Sequence, residues 1–307
     1  MKRMACIMLA LVVLTGCTPR ENHSRETVFA MDTVMDLQVW GTDSREALSA
    51  MKAEITALEN HWSATKEDSY IGRLNAGEAA QDSEAHGFLQ QAEALSKRTK
   101  GAFDPHLGAY IKAWGFYNGE YRVPAAAELE NLSAQWDLGG IVKGYAGYRL
   151  TEILDRLDVD RAILNLGGNI QTYGEKPDGA PWQIAIQAPE GGTMGTVSLR
   201  GTMAVVTSGD YQRCFEADGK VYHHILDPET GCPAESGLSS VTVICSDGTL
   251  ADALSTALFV MGLEKATDHW RENRDFSMVL LTRDGTLYAT EDVALTDCNY
   301  EVIPYEK

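Results

Sequence analysis

The sequence predicts an α+β protein in which mixed or antiparallel sheets are flanked by helices. Two observations lead there. Helical stretches come in blocks instead of alternating with strands, and the second half holds many short strands joined by tight turns. Asp218-Gly219 and Asp284-Gly285 are hairpin signals, and hairpins build antiparallel sheets.

Residues 1–16 read as an export leader, with Lys2 and Arg3 before an apolar segment over 5–14. That segment is short for a bilayer span. Leu14-Thr15-Gly16-Cys17 resembles a bacterial lipobox. The resemblance implies cleavage before Cys17, acylation of that cysteine (palmitate included), and a protein anchored in the bacterial cell membrane facing outside the cytoplasm. Residues 17–28 are expected to be a tether, and 29–307 one domain long enough for a substantial core. The formal charge is −18, and loss of Lys2 and Arg3 with the leader makes it more negative. Such a surface argues against nucleic acid as partner, and an anionic ligand would need a helix end, a lysine or a metal. Cys214, Cys232, Cys245 and Cys298 lack metal spacing and are read as small buried residues, with disulfides permitted.

Residues 33–40 alternate through Met35, Leu37 and Val39 as a half-buried strand. Asp43 or Ser44 then caps a helix whose stripe is Leu48, Met51, Ile55, Leu58 and Trp62. A polar loop over 63–68 precedes Ser69. Ser83 opens a second helix that stops near Gly101, and residues 103–107 introduce a third ending at Trp114-Gly115-Phe116. Residues 118–131, with Pro124 and a short acidic helix, read as a linker or insertion. Strands follow at 161–166, 182–188, 196–199, 203–207, 241–245, 277–282 and 287–289. Apolar residues 251–261 form a helix, and amphipathic residues 263–273 another.

Three stretches carry chemistry. In Asp137-Leu138-Gly139-Gly140-Ile141-Val142-Lys143-Gly144, glycines turn the backbone, a helix starts, and a lysine adds charge. A helix start with free N–H groups accommodates phosphate, and Asp137 can accept from a base or sugar. An ordinary loop-to-helix turn explains the same residues. Asp252, Ser255 and Thr256 share one face of the apolar helix, where a carboxylate and hydroxyls suit magnesium, although a plain helix cap fits too. His223 and His224 are adjacent on a strand, so one at most enters a given pocket; His224 is a candidate base or phosphate ligand, and a histidine bonded structurally near a turn fits the same residues. Thr207-Ser208-Gly209 lacks the flanking glycines of a serine elbow.

Eight blocks in order resemble the ApbE-type flavin transferases: Met31-Asp32-Thr33, residues 69–75, Asp104 with Trp114-Gly115-Phe116, residues 137–144, Asn165-Leu166-Gly167-Gly168-Asn169, residues 207–211, residues 224–231, and residues 251–257. The resemblance implies a T-fold-related catalytic domain. It also implies magnesium-dependent transfer of FMN from FAD to a threonine or serine hydroxyl of a target protein, with release of AMP. The target would be a redox pump subunit or an exported electron carrier. Carried over by residue, Met31, Ser69, Trp114, Gly115, Phe116, Asp137, Lys143, His224 and Ile225 would contact FAD. The Gly140 carbonyl, Asp252, Thr256 and the Ser255 backbone would hold magnesium. The chemistry of phosphoryl transfer, apart from the resemblance, leads to the expectation that His224, or Asp252 through a ligated water, takes the proton of the incoming hydroxyl. Two positions depart from the family: it commonly has glycine at Asp32 and an acid at Asn169. The same site would also serve a FAD pyrophosphatase giving FMN and AMP, or a lipoprotein that binds FAD without chemistry.

Overall fold

The computed structural model describes residues 22–78 and 82–306; the leader and Cys17 lie outside them. The chain opens with a hairpin of β1, His23–Ala30, and β2, Thr33–Trp40, in full antiparallel register from His23 opposite Trp40 to Ala30 opposite Thr33. Its two-residue turn, Met31-Asp32, has both φ angles positive (50° and 57°). That is the type I′ signature, which favours glycine, asparagine or aspartate. Asp32 therefore replaces glycine at modest cost. The hairpin also corrects the expected tether: from His23 onward, residues 17–28 are strand.

Helix α1, Ser44–Trp62, buries Leu48, Met51, Ile55, Leu58 and Trp62, the stripe read from the sequence. Its Asp43 makes no side-chain cap; the carboxylate accepts from the Asp158 N–H at 2.9 Å instead. Helices α2, Tyr70–Asn75, α3, Ser83–Arg98, α4, Gly108–Ala113, and α5, Ala126–Leu129, follow. Asp82, not Ser83, caps α3 by accepting from the Glu84 and Ala85 N–H groups. Helix α6 spans Val142–Leu154. After β3, Arg161–Asn165, and β4, Asn169–Tyr173, come β5, Trp182–Gln187, and β6, Thr193–Leu199. Then come β7, Ala204–Gly209, the hairpin of β8, Cys214–Ala217, and β9, Lys220–His223, and β10, Leu238–Cys245. Helix α7, Gly248–Asn273, breaks at Gly262 (φ 75°), which divides it into the apolar and amphipathic parts that the sequence distinguishes. Strands β11, Ser277–Thr282, β12, Leu287–Thr290, β13, Leu295–Thr296, and β14, Glu301–Ile303, end the fold.

Nine strands form the main sheet in the order β1-β2-β3-β4-β7-β10-β11-β12-β14, antiparallel throughout except β12 with β14. Helices α1, α6 and α7 cover one face. There Met35, Leu37, Leu150, Leu164, Ala253 and Ala257 are fully buried. A small sheet, β13-β6-β5, covers part of the other face through Trp182, Ile184, Val205 and Ile244. Each sheet face thus has its own apolar layer, as an α+β architecture requires. Among the described residues no helix is long and apolar enough to cross a membrane. Cys214, Cys232, Cys245 and Cys298 are unpaired, and only Cys245 is fully buried.

Candidate active site

Helices α6 and α7 meet almost backbone to backbone. A methyl group added to Gly144 would stand 2.1 Å from the Gly248 carbonyl oxygen and 2.8 Å from the Asp252 Cβ. Only hydrogen fits there. Because of that approach, the Gly144 N–H donates to Asp252 Oδ2 at 2.8 Å, across 108 residues of sequence. Asp247 caps α7 by accepting from the Leu250 N–H, so Asp252 is not the cap; it lies inside the helix, 4 % exposed. Burial raises its pKa, against the lowering influence of Lys143 and the nearby N–H groups.

The same contact brings the rest of both motifs together. A methyl on Gly140 would lie 3.6 Å from Thr256 Oγ1. Thr256 Oγ1 is 3.5 Å from Ser208 Oγ, which is 2.8 Å from Ser255 Oγ. Ser255 is fully buried behind the cavity wall, and its hydroxyl donates to the Asp252 carbonyl at 2.9 Å. Asn169, 2 % exposed, also faces Asp252, and its side chain helps to hold that carboxyl's pKa down.

These residues form one wall of a cavity of about 800 Å³, which Met31, Phe116, Asp137, Gly140, Lys143, Asn169, His224, Ile225, Asp252 and Thr256 all line. The volume suits a dinucleotide-sized ligand. Asp137 is already engaged: Oδ1 accepts from the Gly139 N–H at 2.8 Å and Oδ2 from the Tyr117 hydroxyl at 2.6 Å. Lys143 reaches over the turn to the Gly139 carbonyl at 3.3 Å.

The two histidines divide as strand geometry requires. His223 Nε2 donates to the Ala234 carbonyl at 3.1 Å and packs against Phe259. His224 faces the cavity, with Nδ1 buried and unpartnered. Desolvation, then the charges of Arg213 and Lys143, lower its pKa to about 3, so the ring is neutral at physiological pH.

Three expected contacts are absent from the cavity wall. Ser69 is 2 % exposed and its hydroxyl is consumed as the α2 cap, accepting from the Gly72 N–H at 2.8 Å and donating to the Ser63 carbonyl at 2.6 Å. Trp114 points away, donating to the Gly231 carbonyl at 2.8 Å and packing beside Tyr222. Gly115 (φ 79°) abuts the Glu120 carbonyl. Of that turn only Phe116 lines the cavity. Conversely, Tyr117, Arg213, Phe103 and Asp104 line it unanticipated as contacts. Arg213 donates to the Phe116 carbonyl at 2.5 Å and supplies a cation that no local motif announces.

The sequence model of the ApbE family matches residues 31–280. The chain belongs to the ApbE family. It is 33% identical over 248 residues to the FAD:protein FMN transferase of Klebsiella pneumoniae (strain 342), covering 70% of this chain and 76% of that one. It is 31% identical over 316 residues to that of Treponema pallidum (strain Nichols), covering 88% and 87%. The ApbE crystal structure from Thermotoga maritima superposes with TM-score 0.82 at 32% identity, over 88% of this chain and 97% of that one. The apo flavinyl transferase ApbE of Pseudomonas stutzeri gives 0.76 at 30%, over 88% and 95%.

Proposed function

We propose that this ApbE-family chain is a FAD:protein FMN transferase, exported and lipid-anchored through Cys17. The reading is carried by one observation: Asp252 and Thr256 of α7 share a cavity wall with Gly140 and Lys143 of the α6 corner, held there by the Gly144 hydrogen bond. A dinucleotide's phosphates fit such a wall, where a lysine and the start of a helix face a buried acid.

The donor set accords with magnesium. Asp252 is a buried carboxylate near the Gly144 and Lys143 N–H groups and Asn169, and a cation beside it would further offset the cost of burying its charge. Its neighbours offer a hydroxyl and carbonyls, all hard oxygens. Among the described residues no group of three or more His, Cys, Asp or Glu gathers, which is a sparse set of the kind magnesium accepts alongside water and phosphate. Asp252, Thr256 and the carbonyls of Gly140 and Ser255 would hold the ion. Bound, it would neutralise charge developing across the pyrophosphate.

The chain's own residues supply the remainder. Lys143 and Arg213 draw the anionic phosphates in, and Phe116 and Ile225 offer apolar surface to the rings. The acceptor's threonine or serine oxygen attacks the FMN phosphorus, the bond from that phosphorus to the AMP phosphate oxygen breaks, and AMP departs with the bonding pair. His224 takes the hydroxyl proton. In the empty cavity it is a poor base, held down by desolvation above all and then by Arg213 and Lys143, and two bound phosphates would offset the part that those two charges contribute. Asp252, through a water that it orients beside the ion, would be the other acceptor for that proton in the same wall.

The test is to incubate the purified protein with FAD, magnesium and a threonine-bearing acceptor, and to weigh the acceptor by mass spectrometry. An acceptor heavier by FMN, with AMP released, supports transfer. Free FMN instead supports hydrolysis, and unchanged FAD supports binding alone. Asp252→Asn should abolish turnover with the fold intact; transfer at the parental rate would remove Asp252 from the mechanism.

A further inference from the structure

Tyr117 behaves unlike the aromatic residues around it. Phe116 and Tyr121 pack against Phe215, with ring centroids 5.8 Å and 5.1 Å away. Tyr117, between them in sequence, turns instead to the cavity, where its hydroxyl donates to Asp137 Oδ2 at 2.6 Å. The same residue lines a second hollow of about 390 Å³, which shares Ala64, Thr65 and Tyr117 with the main cavity. A tyrosine kept for packing sits in a dense interior. This one stands in a partition between two hollows, and its bond to Asp137 is what fixes it.

Both ends of that bond are anchored. The turn that carries Tyr117 is tied down by Arg213, which donates to the Phe116 carbonyl. Asp137 is held at its other oxygen by the Gly139 N–H at 2.8 Å, and its own N–H donates to the Pro105 carbonyl at 2.8 Å. With each oxygen engaged, the plane of the carboxylate is set. Each oxygen of a carboxylate has two lone pairs, so Asp137 keeps acceptor capacity in the cavity that it lines.

The bond has one direction. Burial first, then the Asp137 charge, push the Tyr117 hydroxyl far above its ordinary pKa of about 10, against a lowering influence of Arg213. The phenol is therefore a donor at any working pH. A carboxylate fixed in this way repels anions and accepts from N–H and O–H groups. A flavin dinucleotide carries neutral donors of that kind on both halves, in its sugar hydroxyls and its ring nitrogens. Asp137 binds the N–H of Gly139, one residue before Gly140, at the corner where the phosphates are proposed to sit.

We propose that Tyr117 is a positioning residue for the nucleotide: its hydroxyl sets the Asp137 carboxylate to accept from a neutral O–H or N–H donor of FAD beside the Gly140 corner. This rests on the transferase reading, because it needs the dinucleotide in the cavity. Tyr117 touches no reacting atom and acts through Asp137. An acceptor already locked in place loses less freedom when the ligand arrives, which strengthens binding.

The experiment compares wild type, Tyr117→Phe, Asp137→Ala and the double variant, each with FAD, magnesium and the threonine-bearing acceptor. Tyr117→Phe should weaken FAD binding about tenfold, read from flavin fluorescence and from KM, with kcat within about twofold of wild type. In the Asp137→Ala background the same substitution should change nothing further, because no carboxylate is left to hold. Inhibition by AMP and by FMN then locates the donor. If Tyr117→Phe weakens inhibition by AMP alone, the donor is on the adenosine half; if by FMN alone, it is on the flavin half, and either result supports the proposal. The proposal is overturned if Tyr117→Phe binds FAD as wild type does, if its effect is undiminished without the Asp137 carboxylate, or if kcat falls while KM stays. It is equally overturned if AMP and FMN are affected alike or not at all. A wild type that does not bind FAD would overturn the functional reading as well, whereas retained binding isolates the claim about Tyr117.

Discussion

The contact between α6 and α7 yields a graded prediction from three glycines. A methyl on Gly144 would meet the Gly248 carbonyl oxygen at 2.1 Å and the Asp252 Cβ at 2.8 Å. Neither partner is a flexible side-chain end, so the helices must separate. Overpacking of this kind costs about 1–3 kcal/mol. Separation also breaks the Gly144 N–H bond to a carboxylate, about 1.5–3 kcal/mol. Higher helix propensity of alanine offsets about 1 kcal/mol. Gly144→Ala should therefore lose about 1.5–5 kcal/mol, a Tm fall of roughly 3–20 °C at about 2–4 °C per kcal/mol for large domains. Asp252 moves with α7, so kcat/KM should drop about 100-fold. At Gly248 the methyl meets backbone at 2.9 Å and the Gln171 side chain at 3.3 Å, and the loss should be smaller. At Gly147 the nearest atom is Gln171 Oε1 at 3.4 Å, ordinary contact, and Gly147→Ala should gain up to about 1 kcal/mol. Differential scanning calorimetry and steady-state flavinylation read both quantities. Gly144→Ala matching wild type in both, or Gly147→Ala proving the worse variant, refutes the steric account.

Ser69→Ala should lose about 1 kcal/mol as a helix-cap variant and leave FAD affinity unchanged; a threefold weaker affinity by fluorescence titration would return Ser69 to the binding site. His224 has a folded pKa near 3, below its unfolded value of about 6.5, so neutral His224 gives stability that is complete above pH 6.5 and lost as pH falls towards 3. His224→Asn should therefore melt with a flatter Tm dependence than wild type between pH 7 and pH 5, and parallel curves would contradict the buried neutral ring. Arg213→Gln should weaken FAD binding about tenfold, as loss of a charge-assisted contact implies, and an unchanged Kd would remove Arg213 from the phosphate subsite. With divalent cations chelated, added sodium chloride should tighten FAD binding; weakening by salt would show that the bare cavity already attracts the anion.

Legibility followed how local each signal was. The stripe from Leu48 to Trp62 repeats over about four turns and is buried throughout. The blocks around Gly140 and Asp252 were each visible as chemistry in search of a partner. What no local pattern contains is that they meet, because the meeting depends on Gly144 and Gly248 tolerating backbone contact. Strand β1 hid because only Val28 and Ala30 of its eight residues are fully buried, so its alternation has two inward beats. Strand β4 hid because its buried residues include Asn169, Gln171 and Thr172. Ser69 and Trp114 mislead for a common reason. A serine before a helix serves its own backbone, and a tryptophan beside a glycine turn serves packing, with nothing in either motif to separate those uses from ligand contact. Arg213 is a single cation in a hairpin, and only the tertiary fold gives it a role.

The charge lining the cavity explains how so acidic a chain handles an anionic substrate. Asp32, Glu59, Asp104, Asp137 and Asp252 line it against Lys66, Lys143 and Arg213, and His224 adds nothing while neutral. The ionised wall thus carries more negative than positive charge, on a protein already at −18. Three cations do not balance both that wall and a pyrophosphate, and a like-charge encounter in a partly enclosed cavity is penalised more than in open water. On the proposed reaction, a divalent ion held beside Asp252 would reverse the balance where the phosphates must sit and leave the rest of the wall repulsive. The excess of acid would then disfavour phosphates that arrive without a cation and help to expel the anionic AMP once the two phosphates are split apart.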